Sequence, residues 1–133
     1  MPVAPAVAGM THVSSPYSVS ETLDRLAVLA AANGLVLFAR IDFGRDAAQS
    51  GLNMPSCQLL ILGNPKAGTH LMLASPTTAI DLPLKALAWE DDSGNIWLSA
   101  NTAEYLQLRH NFPPGLLPHI NSFHLLLEAA IRP

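Results

Sequence analysis

Residues 18–43 read SVSETLDRLAVLAAANGLVLFARIDF, and this stretch decides the fold class. Ser18-Val19-Ser20-Glu21 has the form of a capping box, in which the serine oxygen accepts from the Glu21 backbone N–H and the glutamate reaches back. Val19, Leu23, Leu26, Ala27 and Ala30 recur at helical spacing, and Asn33-Gly34 supplies a left-handed stop. Leu35 to Phe43 comes directly after it, apolar at even and odd positions alike, the pattern of a strand covered on both faces. A capped helix running into a β segment places the chain among the mixed helix–sheet folds.

Working outward, Met10 to Tyr17 carries Met10, His12 and Val13 ahead of Pro16 and reads as a short first strand. Before it, residues 1–9 hold Pro2 and Pro5 without periodicity, a loose arm. Downstream, Gly44 to Asn53 predicts a short helix closing at Gly51, and Cys57 to Leu62 a central, almost wholly apolar strand ended by Asn64-Pro65. Pro65 to Ser75 reads as a helix stopped by Pro76. Pro83 to Glu90 and Asn95 to Ala100 form a hairpin around Asp91-Asp92-Ser93-Gly94, with Trp89 and Trp97 free to sit on either side of it. Asn101 or Thr102 caps a helix through His110, which Pro113-Pro114-Gly115 breaks. Leu116 to Ile131 is a final amphipathic helix with Leu116, Ile120, Phe123, Leu127 and Ile131 on one stripe. The expected fold is therefore α+β, a mainly antiparallel sheet with helices packed on one face. Residues 1–13 form an N-terminal arm and the start of the first strand; residues 14–133 form a single domain that includes the C-terminal helix.

Composition narrows the function classes. Of 133 residues half are apolar and only 13% are charged, against about a quarter charged in ordinary globular chains. Apolar surface left by that shortage needs cover, from a partner subunit or from an apolar ligand. The net charge is −3 and the seven basic residues are scattered, which argues against the basic stripe a nucleic-acid binder uses. The lone Cys57 excludes an internal disulfide and any CxxC site. No apolar run approaches the ~20 residues of a membrane span. Met1 to Ser15 lacks the basic and long apolar regions of a secretory signal. A cytoplasmic location is expected, or a periplasmic one if the start has been trimmed.

Several motifs have plain structural readings. Gly63-Asn64-Pro65-Lys66-Ala67-Gly68-Thr69 lacks the Gly-Lys-Ser/Thr ending of a phosphate loop and reads as a strand-to-helix turn. Asp42 at a strand end reads as a cap, and Asp91-Asp92 as turn residues; Asp46, Asp81 and Glu90 complete the acids weighed for acid/base chemistry. There is no nucleophile elbow, and Cys57 in a strand reads as a small hydrophobe. None of His12, His70, His110, His119 and His124 forms the i, i+4 pair of a zinc helix, and His119 and His124 lie on different sides of one helix.

Five stretches in order resemble the DUF302 family: Ser20 to Leu26, Phe38 to Asp42, Leu62 to Thr69 with Leu71-Met72, Leu82 to Asp91, and Tyr105 to His110. The resemblance covers about residues 14–112. It implies a β-α-β(4)-α, TATA-binding-protein-like topology and frequent homo-oligomers, with no settled activity. Many relatives carry His where this chain has Phe43 and Pro where it has His70, so the resemblance carries over no function that rests on a histidine at position 43. Because some relatives bind haem, the resemblance puts b-type haem first among apolar ligands. A haem needs one axial imidazole and an apolar pocket. His110 is the first choice, with Arg109 beside it to pair a propionate, and His70 is the second. Phe43 would leave the sixth side of the iron apolar, suiting a diatomic gas or nitrite-related haem chemistry. The expectation is thus a homo-oligomeric protein binding a small apolar ligand. A ligand-free structural or regulatory oligomerisation module is the alternative, ahead of an enzyme with its own acid/base site.

Overall fold

The computed structural model describes residues 2–133. Helix α1 spans Val19–Ala32, and the Ser18 side chain accepts from the Glu21 N–H at its start. Gly34, at φ 78°, provides the left-handed turn out of it. The chain then enters strand β2, Val36–Asp42, and Asp42 caps helix α2, Phe43–Gln49, accepting from the Arg45 N–H at 2.9 Å. Strand β3 covers Cys57–Gly63 and helix α3 Pro65–Ala74. Strands β4, Leu84–Glu90, and β5, Ile96–Asn101, form the hairpin, and β1 covers Met10–Ser15. Helices α4, Ala103–His110, and α5, Pro118–Ala130, close the chain.

The five strands make one sheet in the order β1-β5-β4-β3-β2, every neighbouring pair antiparallel. This is the α+β fold expected, with the five strands in the anticipated chain order. On one face α1 and α5 pack over the sheet, burying Leu23, Leu26, Leu60, Leu62, Leu98 and Leu127. Truncating any of these leucines to alanine would remove about 2–5 kcal/mol of stability through lost transfer energy and a residual cavity. A second, smaller cluster joins α3, α4 and α5 through Leu71, Leu106, Phe112 and Ile120. The alternate positions of the central strands, such as Leu59, Leu87 and Trp89, face the other side and stay half-buried.

The structure corrects or completes four details. First, β2 is an edge strand and is not covered on both faces: Val36, Leu37 and Phe38 are 43%, 42% and 53% exposed. An apolar run reports that burial would be favourable, not that a neighbour in the same chain provides it. Second, the register shifts between Leu37 and Ala39, turning Phe38 out of the regular pairing. Third, Trp89 and Trp97 are direct cross-strand partners and so share a face of the hairpin. Fourth, Pro76 does more than end α3. It opens a 3-10 turn, Pro76–Asp81, and a second such turn at Pro114–Leu116 delays α5 to Pro118. The first of these turns contributes Ala79 to both cavities.

Candidate functional site: an apolar cleft with paired imidazoles

Asn64 starts the local architecture. Its side-chain oxygen accepts from the N–H groups of Lys66 and Ala67, and Pro65 at the first helical position fixes the entry of α3. The first half of α3 then faces α5 across a cleft of about 540 Å³. Phe38, Met72, Leu82, Pro83, Phe123 and Leu126 supply apolar walls. The volume falls within the ~300–1,000 Å³ usual for small-molecule pockets.

Two histidines stand at this cleft. His119 lines it from α5, and its ring lies parallel to that of His70 on α3, centroids 5.7 Å apart and planes 11° apart. His70 is exposed and His119 half-buried. Among the described residues neither ring nitrogen of either histidine has a hydrogen-bond partner, so their lone pairs remain available for a ligand.

His110 is placed differently. Its Nε2 donates to Asp81 Oδ2 at 2.5 Å, and its Nδ1 lies 3.0 Å from Thr77 Oγ1. Ser75 Oγ donates to its backbone carbonyl at 2.7 Å. Arg109 Nη1 stands 3.3 Å and 3.4 Å from the two oxygens of the same Asp81. With both ring nitrogens already hydrogen-bonded within the protein, His110, the first choice of axial ligand, would have to give up its Thr77 or Asp81 contact to ligate an iron, whereas His70 would not. Arg109 is likewise committed to a protein carboxylate. His110 and Arg109 line a second, open cavity, so the structure separates them from His70. Phe43 lines neither cavity; it begins α2, and the phenyl ring at the cleft is that of Phe38.

Sequence reasoning missed His119 as a partner of His70, Phe38 as a wall, and Asp81 with Thr77 as partners of His110. The pairs lie on separate elements with no spacing rule to link them. Only the packing of α3 on α5, and of the 3-10 turn on α4, brings them together.

The sequence profile described as "Domain of unknown function DUF302" matches residues 11–131. The chain belongs to the DUF302 family. A solved DUF302 structure, "Crystal structure of uncharacterized conserved protein DUF302 from Bacillus stearothermophilus", superposes with a TM-score of 0.78 over 94% of this chain and 97% of that one. At 17% identity that likeness shows the fold. A protein of Brucella suis biovar 1 (strain 1330) named "Fluoride-specific ion channel FluC 1" is 45% identical over 103 residues, 77% of this DUF302 chain and 41% of that protein. A Brucella melitensis biotype 1 protein named "Fluoride-specific ion channel FluC 2" matches at the same identity over 38% of its length. The chain thus spans about two fifths of the curated relatives it matches. Among the described residues no helix is long and apolar enough to cross a membrane, and no group of three or more His, Cys, Asp or Glu side chains is arranged to hold a metal ion.

Proposed function

We propose that this DUF302 chain is a small-molecule-binding domain whose cleft between α3 and α5 takes a flat apolar ligand, with haem b as the first ligand to test. One observation carries the reading: a cleft of about 540 Å³ with largely apolar walls has two imidazoles beside it that no described residue engages. A haem requires a single axial nitrogen rather than a multi-ligand metal cage. His119 is best placed to give it, and His70 stands next. When bound, haem would supply diatomic-ligand binding or one-electron chemistry. The chain's own share is to enclose the macrocycle in hydrocarbon and fix the imidazole.

Titration of the full chain with hemin tests this. A Soret band that saturates with hemin, and changes position in His119→Ala or His70→Ala, is expected. Iron-free protoporphyrin separates the components: binding of both, with no effect of either histidine, would keep the cleft and remove the axial role. No binding of either porphyrin would sink the reading.

A second reading rests on the relatives. In proteins named as fluoride-specific ion channels, the matching segment is part of a much longer chain. We infer that the DUF302 unit also serves as an oligomerisation or regulatory module. Support comes from the apolar β2 edge, whose unpaired backbone groups and exposed Val36 and Leu37 suit pairing with a second copy.

A further inference from the structure

Beside the cleft, and sharing Ala79 with it, lies an open cavity of about 620 Å³ lined by Pro76, Thr77, Ile80, Arg109 and His110. A line of polar groups runs into it. The His110 side chain is the most buried, 4% exposed, and it stands between Asp81, 10% exposed, and Thr77. The contact of His110 with Asp81 is 2.5 Å, and Thr77 Oγ1 is 3.0 Å from His110 Nδ1. Thr77 itself is an exposed residue.

Proton positions come from the chemistry of the three groups. A carboxylate can only accept, so His110 Nε2 carries the hydrogen. The neutral ring then keeps a lone pair on Nδ1, and that lone pair faces the Thr77 hydroxyl, which donates. A buried acid therefore orients a buried base, and the base meets a hydroxyl at the solvent boundary. This ordering is what activates a hydroxyl nucleophile, and it is recognised by geometry rather than by position in sequence. Several features hold it rigid. Pro76 restricts the start of the turn, Ser75 Oγ ties the turn to the His110 carbonyl, and Asn111 at φ 55° stops α4 immediately after the histidine. Arg109 completes the rim with N–H donors, its side chain 48% exposed.

We propose that Thr77, His110 and Asp81 form an acyl-transfer site acting on small carboxylic esters, separate from the apolar cleft. Thr77 Oγ1 bonds to the ester carbonyl carbon while its proton passes to His110 Nδ1. The bond from that carbon to the alcohol oxygen breaks, and the alcohol departs with the same proton. Water then attacks the acyl-threonine by the same route, releasing the acid and restoring the hydroxyl. Asp81 stays ionised throughout and acts as a positioning residue.

The experiment uses the full chain with p-nitrophenyl acetate, then peptide mapping of the quenched protein. Release of nitrophenolate above the buffer rate, with an acetyl group on Thr77, is expected. Thr77→Val keeps the shape, removes the hydroxyl, and should lower the rate roughly a hundredfold, the scale of assisted proton transfer. Thr77→Ser should retain activity, which separates a lost nucleophile from a disturbed turn. Asp81→Asn should lower kcat with KM little changed. A wild-type rate equal to buffer, full activity in Thr77→Val, or acetylation confined to lysines would each overturn the proposal. Hemin binding by Thr77→Val should match wild type, so failure here and failure of the cleft reading remain distinct.

Discussion

At the scale of single residues, polar side chains inside an apolar fold matter through their partners. His12 shows how strongly. Its Nδ1 sits 2.6 Å from Ser99 Oγ, which also accepts from Trp89 Nε1 at 2.9 Å, and its ring meets Trp89 and Trp97 edge-on. Its Nε2 is buried with no partner among the described residues. Burial therefore holds the His12 imidazole below its ordinary value of 6.5, because charging it would strip an ion of water. The unfolded chain then binds a proton that the folded one resists. Stability from this group is complete above the ordinary value and is lost as pH falls below it. Urea midpoints should drop between about pH 7.5 and about pH 5.5, and drop less in His12→Gln. An identical drop in the variant would show that the other histidines account for it. Cys57 obeys the same physics with opposite sign: burial first, and Asp42 second, push its thiol up, which makes it a poor nucleophile.

At the scale of elements, a feature was legible in the sequence when its signal was local. Helix α1 announced both ends, through Ser18 and through Asn33-Gly34, and Asn64-Pro65 announced the start of α3. Such caps are chemistry between near neighbours, so they survive without tertiary information. Replacing Ser18 with alanine should cost about 1 kcal/mol, seen as a lowered denaturation midpoint with unchanged slope; no change would mean that packing of Leu23 and Leu26 alone sets the helix start. The 3-10 turn at Pro76–Asp81 was illegible for the converse reason. Pro76 reads as a stop whether the chain beyond it forms a loop or a tight turn, and only contact with α4 makes Thr77 and Asp81 flank one imidazole. The cleft was half legible. His70 stood out among apolar neighbours, whereas His119 gained meaning only when α5 laid it parallel to His70.

At the scale of the whole molecule, the strand order assigns the surfaces. The covered face holds the main core, and the β2 edge carries apolar side chains that water would meet in an isolated copy. The shortage of charge in the sequence and the exposure of β2 therefore describe one property seen twice. Association through that edge predicts a dimer by light scattering that Leu37→Lys shifts towards monomer, since a lysine on an edge strand blocks further pairing. Leu37 does not line the cleft, so hemin titration of the same variant reports on the cleft alone. A wild-type monomer at high concentration would remove the edge as a self-pairing surface.

The pairing of β1 with β5 sets a timetable as well as a surface. Met10 sits opposite Asn101 and Ser15 opposite Ile96, so the earliest strand to be synthesised has its partner in the last. During translation Met10 to Ser15 must wait, unmatched, until Asn101 has left the ribosome, and distant closure of this kind slows folding. The last strand made takes an inner place, between β1 and β4, and its arrival joins the oldest part of the chain to the rest of the sheet.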